Sequence, residues 1–466
     1  MFRALSSRAP LWISLVGAMV GLTTVVGCSS SSPGPDAGDS ATPPGRDAAP
    51  VMEPDAAGPD LAAGSGPDFA GPDARNRDNG GRDAGSAGDG GGADGGAGLA
   101  DASPAPDATV ASGDAVSGSS AAQLATKLGK PARLLIGLGG TDQQDITSQG
   151  IKPDVHERYL VGIGSGSWPE WNQPSGAYVD TVVAKEADQL GAVPMFTLYQ
   201  MASLGDGNLS GLTDKSFMTS YWQQAKLLFQ RLAIYGKPAL VNVEPDFWGY
   251  VLLQGPAGDQ TTLSAQVTVA SDCADLPNTV AGFGHCMLRL ARTYAPKALL
   301  GFPPSDWVVD ATHDPVDILK KAGILDADFV VMQTLDRDAG CFEAASESEC
   351  QGRSGSGWYW DESNATHPNF QDHLAEASKY HTAFSKPVVW WQTPLGVPSA
   401  TADGTSKHYR DNRVHYFLTH PQELVAAGGL AVVFSAGADH QTDITTDGGQ
   451  FKTLSQAYLS SPAPLP

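Results

Sequence analysis

Two carboxylates two residues apart, Glu244 and Asp246, close the run Pro238-Ala-Leu-Val-Asn-Val-Glu-Pro-Asp246. Leu240 to Val243 is mostly apolar and β-branched, and Pro245 can neither donate to a sheet ladder nor prolong a central strand. The pattern predicts a buried strand that delivers acid groups at its carboxyl end. A strand's period of two puts Asn242, Glu244 and Asp246 on one face and Val241 and Val243 on the other. Two nearby carboxyls can divide labour, one kept protonated by burial and the other ionised, which is what acid–base and glycosidic chemistry require. The bland alternative is a strand that ends in a polar turn, so the surroundings have to decide.

Further candidates have the same placement. Asp336 and Asp338 stand in Leu335-Asp-Arg-Asp338, and Asp439 in Ala438-Asp-His-Gln441. Gln200, Asn242, Gln333 and Gln392 fall near predicted strand ends, where an amide can both donate to and accept from a sugar hydroxyl. Trp168, Trp171, Trp248, Trp307, Trp358, Trp360, Trp390 and Trp391 lie at a predicted strand end or in the loop after it, joined by Tyr199, Phe247, Tyr250 and Tyr359. Flat amphipathic rings gathered at one end suit the C–H faces and hydroxyls of sugars, although any single ring could be packing. The ten histidines are scattered, with no HExxH, and no GxSxG elbow occurs, so metallohydrolase and serine-hydrolase chemistry lack their signatures. No metal or cofactor is expected.

Eight buried strands must position these residues: Arg133–Gly139, Arg158–Gly164, Val193–Met201, Ala239–Glu244, Ala298–Phe302, Phe329–Thr334, Pro387–Gln392 and Leu430–Ser435. Most are continuous apolar runs, as parallel strands covered on both faces are. Amphipathic stretches intervene around Tyr178–Leu190, Lys215–Tyr235, Thr279–Tyr294, Pro315–Ala322, Asn369–Phe384 and Arg410–Ala427, while the link between the first two strands has the weakest helical pattern. The expected fold is an α/β (β/α)8 TIM barrel with long loops after strands four and six, Phe247–Asn278 and Arg337–Pro368. An open doubly wound sheet is the alternative, but Gly137-Leu-Gly-Gly140 lacks the spacing of a dinucleotide fingerprint.

Residues 121–466 resemble a (β/α)8 glycoside hydrolase, a likeness of architecture across Arg133 to Leu459 whose motif is Val243-Glu244-Pro245. In the large retaining superfamily of such barrels, an Asn-Glu-Pro at the end of strand four carries the acid/base. That implies Glu244 as general acid, although here Asn242 stands one residue early. The nucleophilic glutamate that those families place after strand seven is replaced by Trp390-Trp391-Gln392. Candidates for the second carboxylate are Asp336 first and then Asp246. A substrate-assisted route, with Gln333 or Gln392 orienting an N-acetyl group, is a further option. A carbohydrate-binding or adhesion protein on a degenerate hydrolase barrel is the non-enzymatic alternative.

The barrel is preceded by two other zones. In residues 1–28, Arg3 and Arg8 precede an apolar run from Leu11 to Val26, which reads as an export signal. Val25-Val26-Gly27-Cys28 resembles the lipobox of bacterial lipoproteins, which implies lipidation of Cys28; with Ser29 next, the class points to the outer membrane or cell surface. An ordinary cleaved signal is the other reading. Residues 29–120 are rich in Gly, Ala, Pro and Asp, carry a net charge of −11 and have almost no large apolar residue, so they are expected to form a disordered, extended tether.

The remaining zone carries −13, which disfavours nucleic acid as a partner. Cys273 with Cys286 and Cys341 with Cys350 are locally spaced pairs, which suggests two loop disulfides in an exported chain rather than zinc. The expected partners are a polysaccharide or oligosaccharide, and a membrane through Cys28 alone. A monomer is expected.

Overall fold

The computed structural model describes residues 120–308, 313–334, 360–395, 412–435 and 443–466. Eight parallel strands close in sequence order into a barrel: β1 (Leu135–Gly139), β2 (Val155–Val161), β3 (Val193–Tyr199), β4 (Ala239–Val243), β5 (Ala298–Phe302), β6 (Phe329–Gln333), β7 (Val388–Pro394) and β8 (Gly429–Ser435), with β8 pairing back onto β1. This is the (β/α)8 TIM barrel expected from the continuous apolar runs, and five of the strands are buried at every position.

The described helices are α1 (Ala121–Lys127), α2 (Gln143–Gln149), α3 (Ala184–Leu190), α4 (Lys215–Tyr235), α5 (Phe247–Gln254), α6 (Val280–Tyr294), α7 (Pro315–Lys321), α8 (Phe370–Phe384), α9 (Arg413–Thr419), α10 (Pro421–Ala426) and α11 (Gln450–Ser460). The longest, α4, starts where the Asp214 carboxylate accepts from the amides of Ser216 and Phe217, a cap that contributes about 1 kcal/mol. It ends at Gly236, whose φ of 72° is left-handed and strains any residue with a Cβ. Its inner face brings Tyr221 and Trp222 against Phe283 of α6, with ring centroids 5.2 and 5.0 Å away.

Several boundaries move from their predicted places. The second strand begins at Val155, not Arg158, because His156, Glu157 and Arg158 alternate about a buried strand although their side chains are polar. The predicted Tyr178–Leu190 helix opens as a π-turn, Tyr178–Val183, before α3. The predicted Arg410–Ala427 helix is broken at His420, because Pro421 has no N–H to continue the ladder and instead starts α10. The loop after β4 is not free of structure, since it holds α5 and short 3₁₀ turns. In that loop Cys273 is bonded to Cys286 of α6. Cys28, Cys341 and Cys350 lie outside the described residues.

The amino-terminal end of the barrel is closed by local pairing. Arg133 grips Asp154 through two bonds of 2.7 and 2.9 Å, and Asp154 also accepts from the Ile136 amide. The Tyr458 hydroxyl of α11 donates to the Leu134 carbonyl at 2.6 Å. The polar and acidic lumen residues gather toward the other end.

Candidate active site at the carboxyl end of the barrel

The Glu244-Pro245-Asp246 turn follows β4, and flanking side chains fix it. The Trp248 indole donates to the Val243 carbonyl at 3.0 Å, and the Ser305 hydroxyl donates to the Pro245 carbonyl at 2.5 Å. Glu244 has a φ of 52°, a left-handed conformation that costs a residue other than glycine roughly 1–3 kcal/mol. Ser305, just past β5, and Gln392, in β7, share it with φ of 53° and 52°. At Gln392 the β7–β8 register also shifts, between Trp390 and Thr393. Backbone strain of this kind is held in place by its surroundings and concentrates at functional sites.

The left-handed turn interrupts the predicted alternation. Asn242 faces the lumen, its Nδ2 3.5 Å from the Thr197 hydroxyl. The Glu244 carboxyl instead reaches the end of β3, where both oxygens are 3.1 Å from the Gln200 amide and Oε2 accepts from Met201 at 3.0 Å. Glu244 is fully buried. Burial pushes its pKa up to about 8; the amides of Met201 and Gln200 pull it down, and the nearby Asp246 charge pushes it further up. The Tyr221 hydroxyl of α4 faces the same carboxyl electrostatically but outside hydrogen-bond geometry.

Asp246 faces the barrel mouth. Its Oδ2 is 2.8 Å from the Tyr199 hydroxyl, and Oδ1 is 3.4 Å from Nε2 of Gln333. The same Tyr199 hydroxyl lies 2.8 Å from Asp206, so two carboxylates share one phenolic proton. Burial and those two charges push the Tyr199 pKa far above its usual range, which keeps the phenol a donor. Asp206 is placed by the turn after β3: Gly207 packs under the Tyr250 ring, and its carbonyl accepts from Gln254 at 2.8 Å. Glu244, Asp246, Tyr199, Asp206, Phe247 and Tyr250 line one small pocket.

The other predicted contacts divide. Gln333, Tyr199 and Trp391 reach the mouth, where the Trp391 ring lies 5.6 Å from Tyr159 and Tyr159 lies 6.4 Å from Tyr199. Trp307 is 37% exposed and stands edge-on to Tyr250 at 5.0 Å. Trp171 donates to the Gly166 carbonyl, and Trp360 lies between His373 and the Arg413 guanidinium. Trp168 and Trp248 are corrections to the expected aromatic wall. Both are fully buried, and Trp248 packs against Phe247 and Phe302, because apolar rings at strand ends also seal the helix–sheet layer. Gln200 is turned outward, donating to the Gly162 carbonyl and to Gln224 of α4. Asp336, Asp338, Trp358, Tyr359 and Asp439 lie outside the described residues.

Glu157, Tyr159, Thr197 and Asp206 were missed by sequence reasoning. Glu157 and Tyr159 had a usable signal, since residues 155–161 alternate once the strand is started at Val155. Asp206 had none, because its partner is seven residues away across a turn. Among the described residues, no group of three or more His, Cys, Asp or Glu side chains could hold a metal ion.

No family model matches the chain, and no curated protein matches it. Solved structures do. The endo-β-1,4-mannanase from Thermotoga petrophila is similar at 14% identity and a TM-score of 0.40, over 72% of this chain and 77% of that one. The GH26 domain of an endo-β-mannanase/endo-β-glucanase from Prevotella bryantii is similar at 13% and 0.38, over 73% and 94%. A D-allulose 3-epimerase from Methylomonas sp. is similar at 12% and 0.35, over 71% and 98%.

Proposed function

We propose that this chain is a glycoside hydrolase of the (β/α)8 type, acting on an extracellular or cell-wall polysaccharide, with Glu244 as general acid. The observation that carries the reading is the Glu244 carboxyl, buried at the carboxyl end of β4 with its pKa near 8 and a second carboxyl, Asp246, on the same turn. A proton retained at neutral pH is what a leaving glycosidic oxygen needs. Asp246, held by Tyr199 and Gln333, supplies the adjacent negative charge, and Asp336 after β6 remains the alternative partner. Tyr159 and Trp307, the more exposed rings, offer surface to the sugar, and Gln333 a polar edge. The export signal, Cys28 and the acidic tether fit a barrel held off the outer surface of a bacterium. The test is a polysaccharide hydrolysis screen with Glu244→Gln beside the parent: the variant should lose turnover and keep its affinity.

A second reading, a non-catalytic carbohydrate-binding protein, is favoured by one contact. The oxygens of Glu244 face the amides of Gln200 and Met201, and the side chain has no exposed surface. Under that reading neither parent nor variant turns over any polysaccharide, while both bind.

A further inference from the structure

Glu157 is a buried carboxyl that the proposed reaction does not use. On β2 it faces Gly139 of β1, where an added Cβ would lie 2.5 Å from its Oε2, so that glycine makes the room the carboxyl occupies. Across the lumen, Trp391 of β7 directs its indole N–H at Oε1 from 3.4 Å, and the Thr197 hydroxyl nearby favours the carboxylate. Among the described residues no ion pair compensates the burial: Arg158 follows in sequence but turns to the opposite face, 3.8 Å from both Asp142 and Glu186. A buried carboxyl without a cation costs stability that an apolar side chain would not. Two residues along the same face, Tyr159 rests on Trp391 and meets Tyr199, whose hydroxyl reaches Asp246.

We propose that Glu157 is a positioning residue for the mouth of the barrel: its carboxyl holds the Trp391 indole from inside the lumen and so fixes the Tyr159 and Tyr199 rings above it. Its consequence for sugar binding rests on the function proposed above; the hold on the indole does not. A neutral carboxyl accepts the indole N–H weakly and a carboxylate accepts it strongly. The hold therefore tightens when Glu157 ionises, and burial delays that step to a pH of about 7. Among the described residues, the charged or titratable groups acting on it are Arg158 of its own strand and the Tyr178 phenol of the adjoining π-turn.

The experiment needs no ligand. Near-ultraviolet circular dichroism of the tryptophan band is followed over roughly pH 5.5 to 8.5, a window that spans the titration of a buried carboxyl, for the parent, Glu157→Gln, Gly139→Ala and Trp391→Phe. The parent should show a one-proton transition near pH 7, and Glu157→Gln and Trp391→Phe should both lack it. Gly139→Ala, which crowds the carboxyl but keeps it, should move the midpoint. A parent without a transition overturns the proposal, as does a transition that survives in Glu157→Gln or in Trp391→Phe. Glu157→Gln is nearly isosteric and keeps an acceptor, so it remains informative where a smaller residue would unfold the barrel. In a second arm at pH 8.5, Glu157→Leu should weaken oligosaccharide binding about tenfold, the scale of a lost charged hydrogen bond, and Glu157→Gln, which keeps only a neutral acceptor, should recover part of that loss. A positive spectral arm with no binding to any oligosaccharide would overturn the functional reading and leave the hold standing.

Discussion

The backbone amide of Gln200 lies 3.1 Å from each carboxyl oxygen of Glu244, so the side chain that ends β4 is gripped by the residue that follows β3. The amides of Gln200 and Met201 favour the carboxylate, and burial outweighs them, so the carboxyl at this strand terminus keeps its proton. That balance also makes Glu244 a stability determinant whose contribution changes with pH.

The folded state holds the Glu244 proton more tightly than the unfolded chain, about 8 against an ordinary 4.5. Its contribution is therefore complete below pH 4.5 and is lost as pH rises to about 8, roughly 5 kcal/mol at about 1.4 kcal/mol per pKa unit. Glu244→Gln removes this titration. Urea denaturation at several pH values should show the parent losing stability relative to the variant as pH rises; a constant difference would show that Glu244 titrates normally.

Turnover gives a separate expectation. If Glu244 is the proton donor, Glu244→Gln should lower kcat by about 10²–10⁴ with little change in affinity, the usual contribution of a general acid. Asp246→Asn should also lower kcat if Asp246 is the partner. If Asp246→Asn leaves kcat intact while Asp336→Asn abolishes it, the second carboxylate is Asp336.

Tyr199→Phe removes the phenolic proton that lies between Asp206 and Asp246. Two carboxylates then face each other without it, and the loss of a charge-assisted hydrogen bond costs on the order of 1.5–3 kcal/mol. The prediction is a lower melting temperature at pH 7 and a smaller deficit in acid, where protonation relieves the repulsion. Thermal melts at two pH values check both parts.

The Cys273–Cys286 disulfide fastens the loop after β4 to α6, across a sequence separation of 13. Replacing both cysteines with serine should cost about 3 kcal/mol by the loop-closure argument. Loss should appear first as faster proteolysis between α5 and α6, measured on the parent with and without reductant. Equal cleavage of oxidised and reduced protein would mean that the loop is held by packing alone.

The sequence by itself determined the barrel, because parallel strands buried on both faces need continuous apolar runs and helices need a repeat of 3.6, and both periods are local. It also determined where Glu244 and Asp246 fall, since the apolar run stops at Val243 and Pro245 takes a donor out of the ladder just beyond it. Tertiary structure decided the direction of the side chains. A φ of 52° at Glu244 sends its carboxyl to Gln200 and breaks the face it was expected to share with Asn242. Trp248 seals the packing layer and Trp391 enters the lumen, although both were expected at the mouth, because burial depends on which ring or helix lies opposite. Glu157 was hidden among charged neighbours at a strand's start. Only closure of the barrel brings β7 within reach of β2, and that non-local contact gives Glu157 the Trp391 indole as its partner.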